Sequence, residues 1–338
     1  MVERTLRAAN HCRWALLAGY TTYRDLGAES MRDSDANLRD AIARGITPGP
    51  RLFVATQALA STGTYDIRTE NGHGDDCPPP LSDAADGVDG VRSAVRRRIA
   101  VGADIIKFYA DYRRRVMRYP PTQLYPYVSG LLHPPKEPNP DIGAFSQEEM
   151  DMIVREAKMA KCPVAAHCMT LDGALGAVKA GATTLEHVTT VSDDLFRAMI
   201  EKKVIMVPTL GVMEKFHAEN LPRLLAQTKR AHDLGVRFAC GGDTGPFNHG
   251  QNAREMELMM QAGFSVEDVL EACTVGGWEA CGGDLCGRRF GWIEEGFQAD
   301  IVALQTDPRL DKNALRKVDF VMKDARIWKL NSEAIGMV

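Results

Sequence analysis

Several features that mark common protein classes are missing from this chain of 338 residues. The eight cysteines are scattered and form no Cys-x-x-Cys pair, so neither a zinc ribbon nor a disulfide framework is indicated. No apolar run of about 18 residues could span a bilayer, and we find no secretory hydrophobic segment. A net charge of −4 offers no basic surplus for nucleic acid. We therefore expect a cytoplasmic protein with reduced cysteines that binds neither membranes nor nucleic acid.

Short apolar runs alternate with helix-like segments along most of the chain. This pattern indicates parallel βαβ units. The length suits an α/β barrel, which needs roughly 250 residues, with a small addition. The barrel-type strands are predicted to begin at positions 20, 51, 103, 162, 182, 203 and 236.

A closed barrel of this type has eight strands, and the pattern predicts one fewer. Because residues 1–18 form an amphipathic helix pattern, the absent strand should be the first. The expected fold is a (β/α)8-type TIM barrel lacking its first strand over residues 1–285, followed by a small antiparallel β appendage over 286–338. Three explanations stay open: an incomplete sequence, a truncated and remodelled protein, or a split protein. Unpaired barrel edges would favour association, so a homo-oligomer is possible.

Four chemically capable residues close predicted strands: Lys107, His167, His187 and Asp243. Catalytic groups of such barrels lie at the carboxyl ends of the strands. Imidazoles are good metal ligands, and a carboxylated lysine could bridge two metal ions. Taken singly, each residue also has a plainer interpretation: a solvent-reaching lysine, core or capping histidines, and a turn aspartate.

The segments IIKFY, VAAHCMT, TLEHVT, GGDTG and IEEGFQADIVAL together resemble the amidohydrolase superfamily. The similarity is greatest to its imidazolonepropionase-like and metal-dependent Xaa-Pro dipeptidase-like branch. The resemblance implies that Lys107 is a carboxylated bridging ligand, that His167 and His187 bind a second metal, and that Asp243 is a metal ligand and general base. It implies Zn²⁺ or another divalent metal, as one or two ions. Substrate-binding roles are expected for a further set: Tyr65, Tyr109 and His249.

The chain departs from the family pattern in two places. Family members begin with half of a small β sandwich and a first strand ending in His-x-His, and the sequence contains no His-x-His. The first metal would keep only Lys107 and Asp243. Tyr65 stands where many relatives have the histidine of a Gly-Gly-His segment, and His73 could compensate.

The leading functional hypothesis is a metal-dependent hydrolase that cleaves a C–N bond of an amide or cyclic amide, in a small molecule or a dipeptide. The long segment 117–142 would help to shape its substrate pocket. Two alternatives remain. One is a noncatalytic or remodelled homologue with a degenerate metal site. The other is a metal-dependent decarboxylase, deaminase or isomerase of a small metabolite.

Overall fold

A computed structural model describes residues 2–65, 79–113 and 140–336 of the chain. His73 and residues 117–139 of the predicted pocket segment lie outside this described part. Helices alternate with short strands along most of the described chain. The helices are α1 Val2–Leu17, α2 Ser34–Ala43, α3 Gly87–Ala100, α4 Gln147–Met159, α5 Leu171–Ala180, α6 Asp193–Lys202, α7 Leu210–Phe216, α8 Leu221–Leu234, α9 Ala253–Ala262, α10 Val266–Cys273 and α11 Val275–Ala280. The strands are β1 Thr22–Asp25, β2 Arg51–Val54, β3 Ala58–Ala60, β4 Ser82–Ala84, β5 Ile106–Tyr109, β6 Asp111–Arg113, β7 Asp141–Gly143, β8 Val164–Cys168, β9 Thr184–His187, β10 Ile205–Val207, β11 Arg237–Phe238, β12 Ile301–Leu304, β13 Val318–Lys323, β14 Arg326–Leu330 and β15 Glu333–Ala334.

A parallel sheet with the strand order β11-β10-β9-β8-β5-β3-β4 forms the centre of the fold. Strands β1 and β2 form a separate parallel pair beside it. The carbonyl of Val54 at the end of β2 accepts hydrogen bonds from the backbone N–H groups of Asp104 and Ile105, just before β5. Strands thus occur at all the barrel positions predicted from the sequence, whereas β3, β4 and the β6–β7 hairpin were not expected.

The strands curve around a common interior. Arg24 on β1 donates two hydrogen bonds of 3.0 Å to the carboxylate of Glu186 on β9. It also donates to Thr184 Oγ1 on the same strand, at 2.9 Å. Since β2, β5 and β8 separate β1 from β9 around the sheet, these bonds require strands that wrap back toward one another. Both charged side chains are largely buried, at 12% and 3% exposure.

Burial explains why these segments form strands. All residues of β2, β5, β8 and β10 are buried. Helices cover the outside of the sheet, as parallel sheets require, and the strands are accordingly apolar on both faces. Side-chain caps define helix starts: Ser146 and Ser265 form capping boxes at α4 and α10.

The sequence pattern predicts helical segments over roughly 212–234 and one helix over 266–281. The first stretch forms α7 and α8, and Pro222 lies in the first turn of α8, where a missing N–H costs nothing. The predicted helix at 266–281 is divided at Thr274, whose φ of −109° and ψ of −83° are not helical.

The C-terminal region forms an antiparallel sheet of the order β12-β13-β14-β15. It reverses direction at Asp324, between β13 and β14. Leu16 of α1 packs against Val318, Val321 and Trp328 of this sheet. The boundary between residues 285 and 286 stays a prediction.

Within the described ranges, β1 is hydrogen-bonded to β2 and β11 to β10, and no ladder joins β1 to β11. The absence of a first barrel strand stays an interpretation of this arrangement. Across the same ranges, no helix combines the length and apolarity needed to span a membrane.

Loss of the Arg24–Glu186 pair should destabilise the fold strongly. Arg24→Met leaves the Glu186 carboxylate buried without its cationic partner, and we expect a loss of about 3–5 kcal/mol in the free energy of unfolding. Urea denaturation measures this loss, and Arg24→Met with Glu186→Leu should recover most of it. The matched control is Arg7→Met, which breaks an exposed pair with Glu3 and should cost less than about 1 kcal/mol. Equal effects of Arg24→Met and Arg7→Met would contradict the role of the buried pair.

Candidate functional site

Lys107 and His167 lie side by side on neighbouring parallel strands. The ladder between β5 and β8 pairs Lys107 with Ala165 and Tyr109 with His167. Because side chains alternate between the two faces of a strand, Lys107, Tyr109 and His167 project from the same face. Lys107 is 5% exposed and His167 is 9% exposed. His167 also pairs with Glu186, the partner of Arg24, so this face is the interior one.

His187 reaches the same interior through an unusual backbone conformation. The ladder pairs Cys168 with His187, so regular alternation would turn His187 away from the face that carries His167. The backbone is left-handed at His187 and Val188, with φ values of +73° and +50°, which non-glycine residues rarely adopt. As a result the ring centroids of His167 and His187 lie 4.6 Å apart, at an interplanar angle of 69°. Such strain is often concentrated at functional positions.

Thr209 orients the His187 ring. Its Oγ1 atom lies 2.7 Å from His187 Nδ1, which leaves Nε2 of that ring free of this hydrogen bond. Thr209 also has a left-handed backbone, with φ of +51°. The next two residues, Leu210 and Gly211, donate their backbone N–H groups to the buried Glu255 carboxylate at 2.9 and 2.6 Å. Glu255 therefore fixes the position of the start of α7, and this in turn fixes the position of Thr209 beside His187.

Burial of Glu255 has an electrostatic consequence. Desolvation raises the pKa of its carboxyl to about 8, although the two backbone N–H groups favour the ionised form. Sequence reasoning missed both Thr209 and Glu255. A glutamate on the apolar face of AREMELMMQA was the available signal, because such a residue is rarely buried without partners.

The imidazoles are neutral and one nitrogen is unpaired. Desolvation, followed by His187 and Lys107, lowers the pKa of His167 well below its usual value. Desolvation and then Lys107 lower the pKa of His187 to about 3. His167 Nε2 is buried and has no hydrogen-bond partner among the described residues. A buried polar atom of this kind needs an explanation, and a bound ligand atom is one.

Lys107 lies beside the two histidines and contributes an amine to the cluster. Burial lowers the pKa of the Lys107 ammonium, while Glu186 and Asp243 oppose that shift. Its Nζ atom lies 5.8 Å from the centroid of the Tyr109 ring. A lowered pKa increases the fraction of the neutral amine, which is the form that can act as a nucleophile.

Asp243 does not end a regular strand, as the sequence had suggested. Strand β11 covers Arg237–Phe238, and the predicted strand at 236–242 is irregular beyond it. A Cβ at Gly241 would lie 2.8 Å from Val207 Cγ1, so the chain passes too closely for a side chain there. Asp243 follows with a left-handed φ of +54°. Part of this residue reaches solvent, although the surrounding protein still desolvates its carboxyl.

Desolvation of the Asp243 carboxyl favours its protonated form. Desolvation raises the pKa of this carboxyl, Lys107 opposes the shift, and Glu29 and Glu186 reinforce it. A second carboxyl that the sequence analysis missed, Asp25 at the end of β1, is in the same electrostatic environment. Burial raises the pKa of Asp25 to about 6, and Glu29 and Asp243 add to the shift.

The donor set can be tested against a metal ion. Among the described residues, no three His, Cys, Asp or Glu side chains converge closely enough to hold one. Two neutral imidazoles with a buried, unpaired nitrogen nevertheless suit a divalent cation. A third donor must then be of another kind, and the adjacent Lys107 fits if it is carboxylated. The assignment of Lys107, His167, His187 and Asp243 as ligands stays a prediction.

The expected substrate-binding residues lie in two different places. Tyr65 stacks on Tyr109 at a centroid distance of 4.1 Å, and Tyr109 lies 4.7 Å from His167. His249 instead stacks on His11 of α1, at 4.4 Å and an interplanar angle of 13°. The two tyrosines are therefore beside the histidine cluster, whereas His249 joins α1 to the loop that follows Asp243.

This chain is similar to several known proteins over most of its length. Ochratoxinase from Aspergillus niger is 28% identical, over 96% of this chain and 68% of that protein. The crystal structure of A. niger ochratoxinase matches with a TM-score of 0.79 and 28% identity, over 96% of this chain and 76% of that one. A crystal structure of a Xaa-Pro dipeptidase with bound methionine in the active site matches with a TM-score of 0.78 and 28% identity, over 96% and 79%.

A further relative is similar over a shorter stretch. Imidazolonepropionase from Clostridium tetani is 29% identical, over 48% of this chain and 38% of that protein. The structural matches show an α/β fold of the TIM-barrel type. The family model of the amidohydrolase family matches residues 5–329. Because that match covers nearly the whole chain, this protein belongs to the amidohydrolase family.

Proposed function

We propose that this protein is a metal-dependent hydrolase that cleaves the C–N bond of an amide or cyclic amide in a small molecule or dipeptide. Hydrolysis of C–N bonds is the activity that membership of the amidohydrolase family supports. The observation that carries the proposal is the pair of neutral imidazoles next to Lys107, of which His167 is buried and His187 is half-buried. His167 Nε2 is buried there without a partner in the described part of the chain.

Lys107, His167 and His187 would hold a zinc or another divalent ion, with Asp243 at the edge of the site. When bound, such an ion would polarise the substrate carbonyl and activate water. The neutral Lys107 amine would first attack carbon dioxide, forming an N–C bond and releasing a proton. The resulting carbamate offers oxygen donors where the protonated amine offers none. Burial of Lys107 supports this step because it lowers the pKa of the ammonium.

Asp243 would move the proton. Its carboxylate would take a proton from the attacking water and pass it to the leaving nitrogen. The raised pKa of Asp243 makes it a stronger base than an ordinary aspartate. Its exposed position at the carboxyl end of the barrel leaves it accessible to a substrate.

Metal content tests the ligand set directly. Purified protein should contain about one divalent ion per chain, measured by inductively coupled plasma mass spectrometry. His167→Ala and His187→Ala should lose that ion, because each removes an imidazole donor. The control is His217→Ala, which removes an exposed histidine and should keep the metal. A folded wild-type protein without metal would support a noncatalytic homologue instead.

Substitution of Thr209 should weaken metal binding less than the loss of either histidine. Thr209→Val removes the hydroxyl beside His187 Nδ1 and should reduce metal affinity by about ten- to a hundredfold. Thr209→Ser keeps the hydroxyl and should retain most of the affinity. Titration with a competing chelator measures both variants. Equal affinities of the valine and serine variants would contradict the orienting role.

The role of Asp243 predicts a pH dependence. A general base works only when deprotonated, so kcat/KM should fall as the pH decreases through the pKa of Asp243. Because that pKa is raised, the acid limb should lie above the usual aspartate range. Asp243→Asn should keep the metal and lower turnover of an N-acyl amino acid panel by about 10²–10⁴-fold. Retention of both turnover and the acid limb in Asp243→Asn would assign the proton transfer to another residue.

A further inference from the structure

Three tyrosines form an aromatic corner beside His167, defined here as Tyr65, Tyr109 and Tyr112. Tyr65 and Tyr109 are stacked, with centroids 4.1 Å apart and an interplanar angle of 24°. Tyr112 meets both rings edge-on, at 4.9 and 5.6 Å with angles of 78° and 83°. Tyr109 and Tyr112 lie 4.7 and 5.7 Å from the His167 ring. The corner thus combines two ring orientations next to the candidate metal ligand.

The position of Tyr112 is fixed by a buried anchor. Tyr112 belongs to β6, which follows β5 directly and pairs with β7. The neighbouring Asp111 is fully buried and accepts hydrogen bonds from the backbone N–H groups of Met169 and Thr170, at 2.8 and 3.0 Å, and from Thr170 Oγ1 at 2.7 Å. Since Met169 and Thr170 follow His167 in the chain, Asp111 couples the hairpin to the histidine strand. The corner is therefore preorganised relative to His167.

Tyr65 and Tyr109 are uncharged. Desolvation raises the pKa values of Tyr65 and Tyr109 further above neutrality, and Glu29 adds to both shifts. The Tyr65 hydroxyl donates its hydrogen bond to the Glu29 carboxylate. Tyr109 is only 8% exposed, whereas Tyr65 and Tyr112 are half-buried. Tyr65 and Tyr112 therefore offer more surface to a ligand than Tyr109 does.

We infer that the aromatic corner recognises an aromatic ring of the substrate, close to the scissile C–N bond. The inference rests on the proposed hydrolase function and narrows its substrates to amides with an aromatic acyl or aromatic amine group. Aromatic rings attract one another in offset-stacked and edge-to-face arrangements with centroids about 4.5–7 Å apart, and the corner offers both to an incoming ring. A saturated ring of similar size buries comparable area without this electrostatic match.

Matched ligand pairs test the inference by equilibrium binding. N-Benzoylglycine is compared with N-cyclohexanecarbonylglycine, and acetanilide with N-cyclohexylacetamide, by isothermal titration calorimetry on the metal-loaded protein. At least one aromatic member should bind about fivefold tighter than its saturated partner. Tyr112→Leu should abolish that ratio, whereas Tyr112→Phe should keep it. The matched control is Phe320→Leu on β13 in the C-terminal sheet, which should leave the ratio unchanged.

The outcomes separate this inference from the proposed function. Equal binding within both pairs, no binding of any of the four ligands, or a ratio unaffected by Tyr112→Leu would overturn the aromatic corner as a recognition site. Turnover of these amides without an aromatic preference would overturn aromatic recognition by the corner but leave the proposed hydrolysis intact. An aromatic preference in binding with no turnover of any amide would sustain the corner and count against hydrolysis. Circular dichroism confirms that each variant remains folded.

Discussion

The ion pair between Arg24 and Glu186 is the interaction on which the arrangement of the site depends. It joins side chains that are 162 residues apart in the chain and connects β1 to β9 through the interior. Glu186 also precedes His187 and lies in register with His167. The same carboxylate opposes the lowering of the Lys107 pKa. One buried charge pair therefore links two strands across the interior and sets part of the electrostatic environment of the candidate ligands.

The second requirement is a left-handed backbone at three positions, which regular strands do not provide. His187, Thr209 and Asp243 all have left-handed backbone conformations at the carboxyl end of the barrel. At His187 this conformation reverses the direction that strand alternation would impose. At Thr209 it places a hydroxyl on the histidine ring while Glu255 holds the following N–H groups. The surrounding packing must maintain these conformations, because each is unfavourable by itself.

Much of the barrel could be predicted from the sequence, because strand and helix periodicities are local. The predicted strands all occur, and Lys107, His167 and His187 form a single cluster. The prediction was less accurate where local pattern competes with tertiary packing. Strand β11 is shorter than the apolar run around it, and α10 and α11 replace the one helix predicted over 266–281. The aromatic position of Tyr112 was also missed, because two of its ring neighbours, Tyr65 and His167, are distant in the sequence.

The sequence by itself determined which residue types stand at the strand ends and how strands and helices alternate, since both follow from side-chain chemistry and short-range periodicity. Tertiary structure alone decided that Arg24 meets Glu186 and that Thr209 meets His187, 22 residues away. It also decided that His249 lies against His11 and that Tyr65 meets Tyr112 of β6 beside His167. Contacts of this kind depend on the curvature of the sheet and on left-handed backbone positions, neither of which has a local sequence signal.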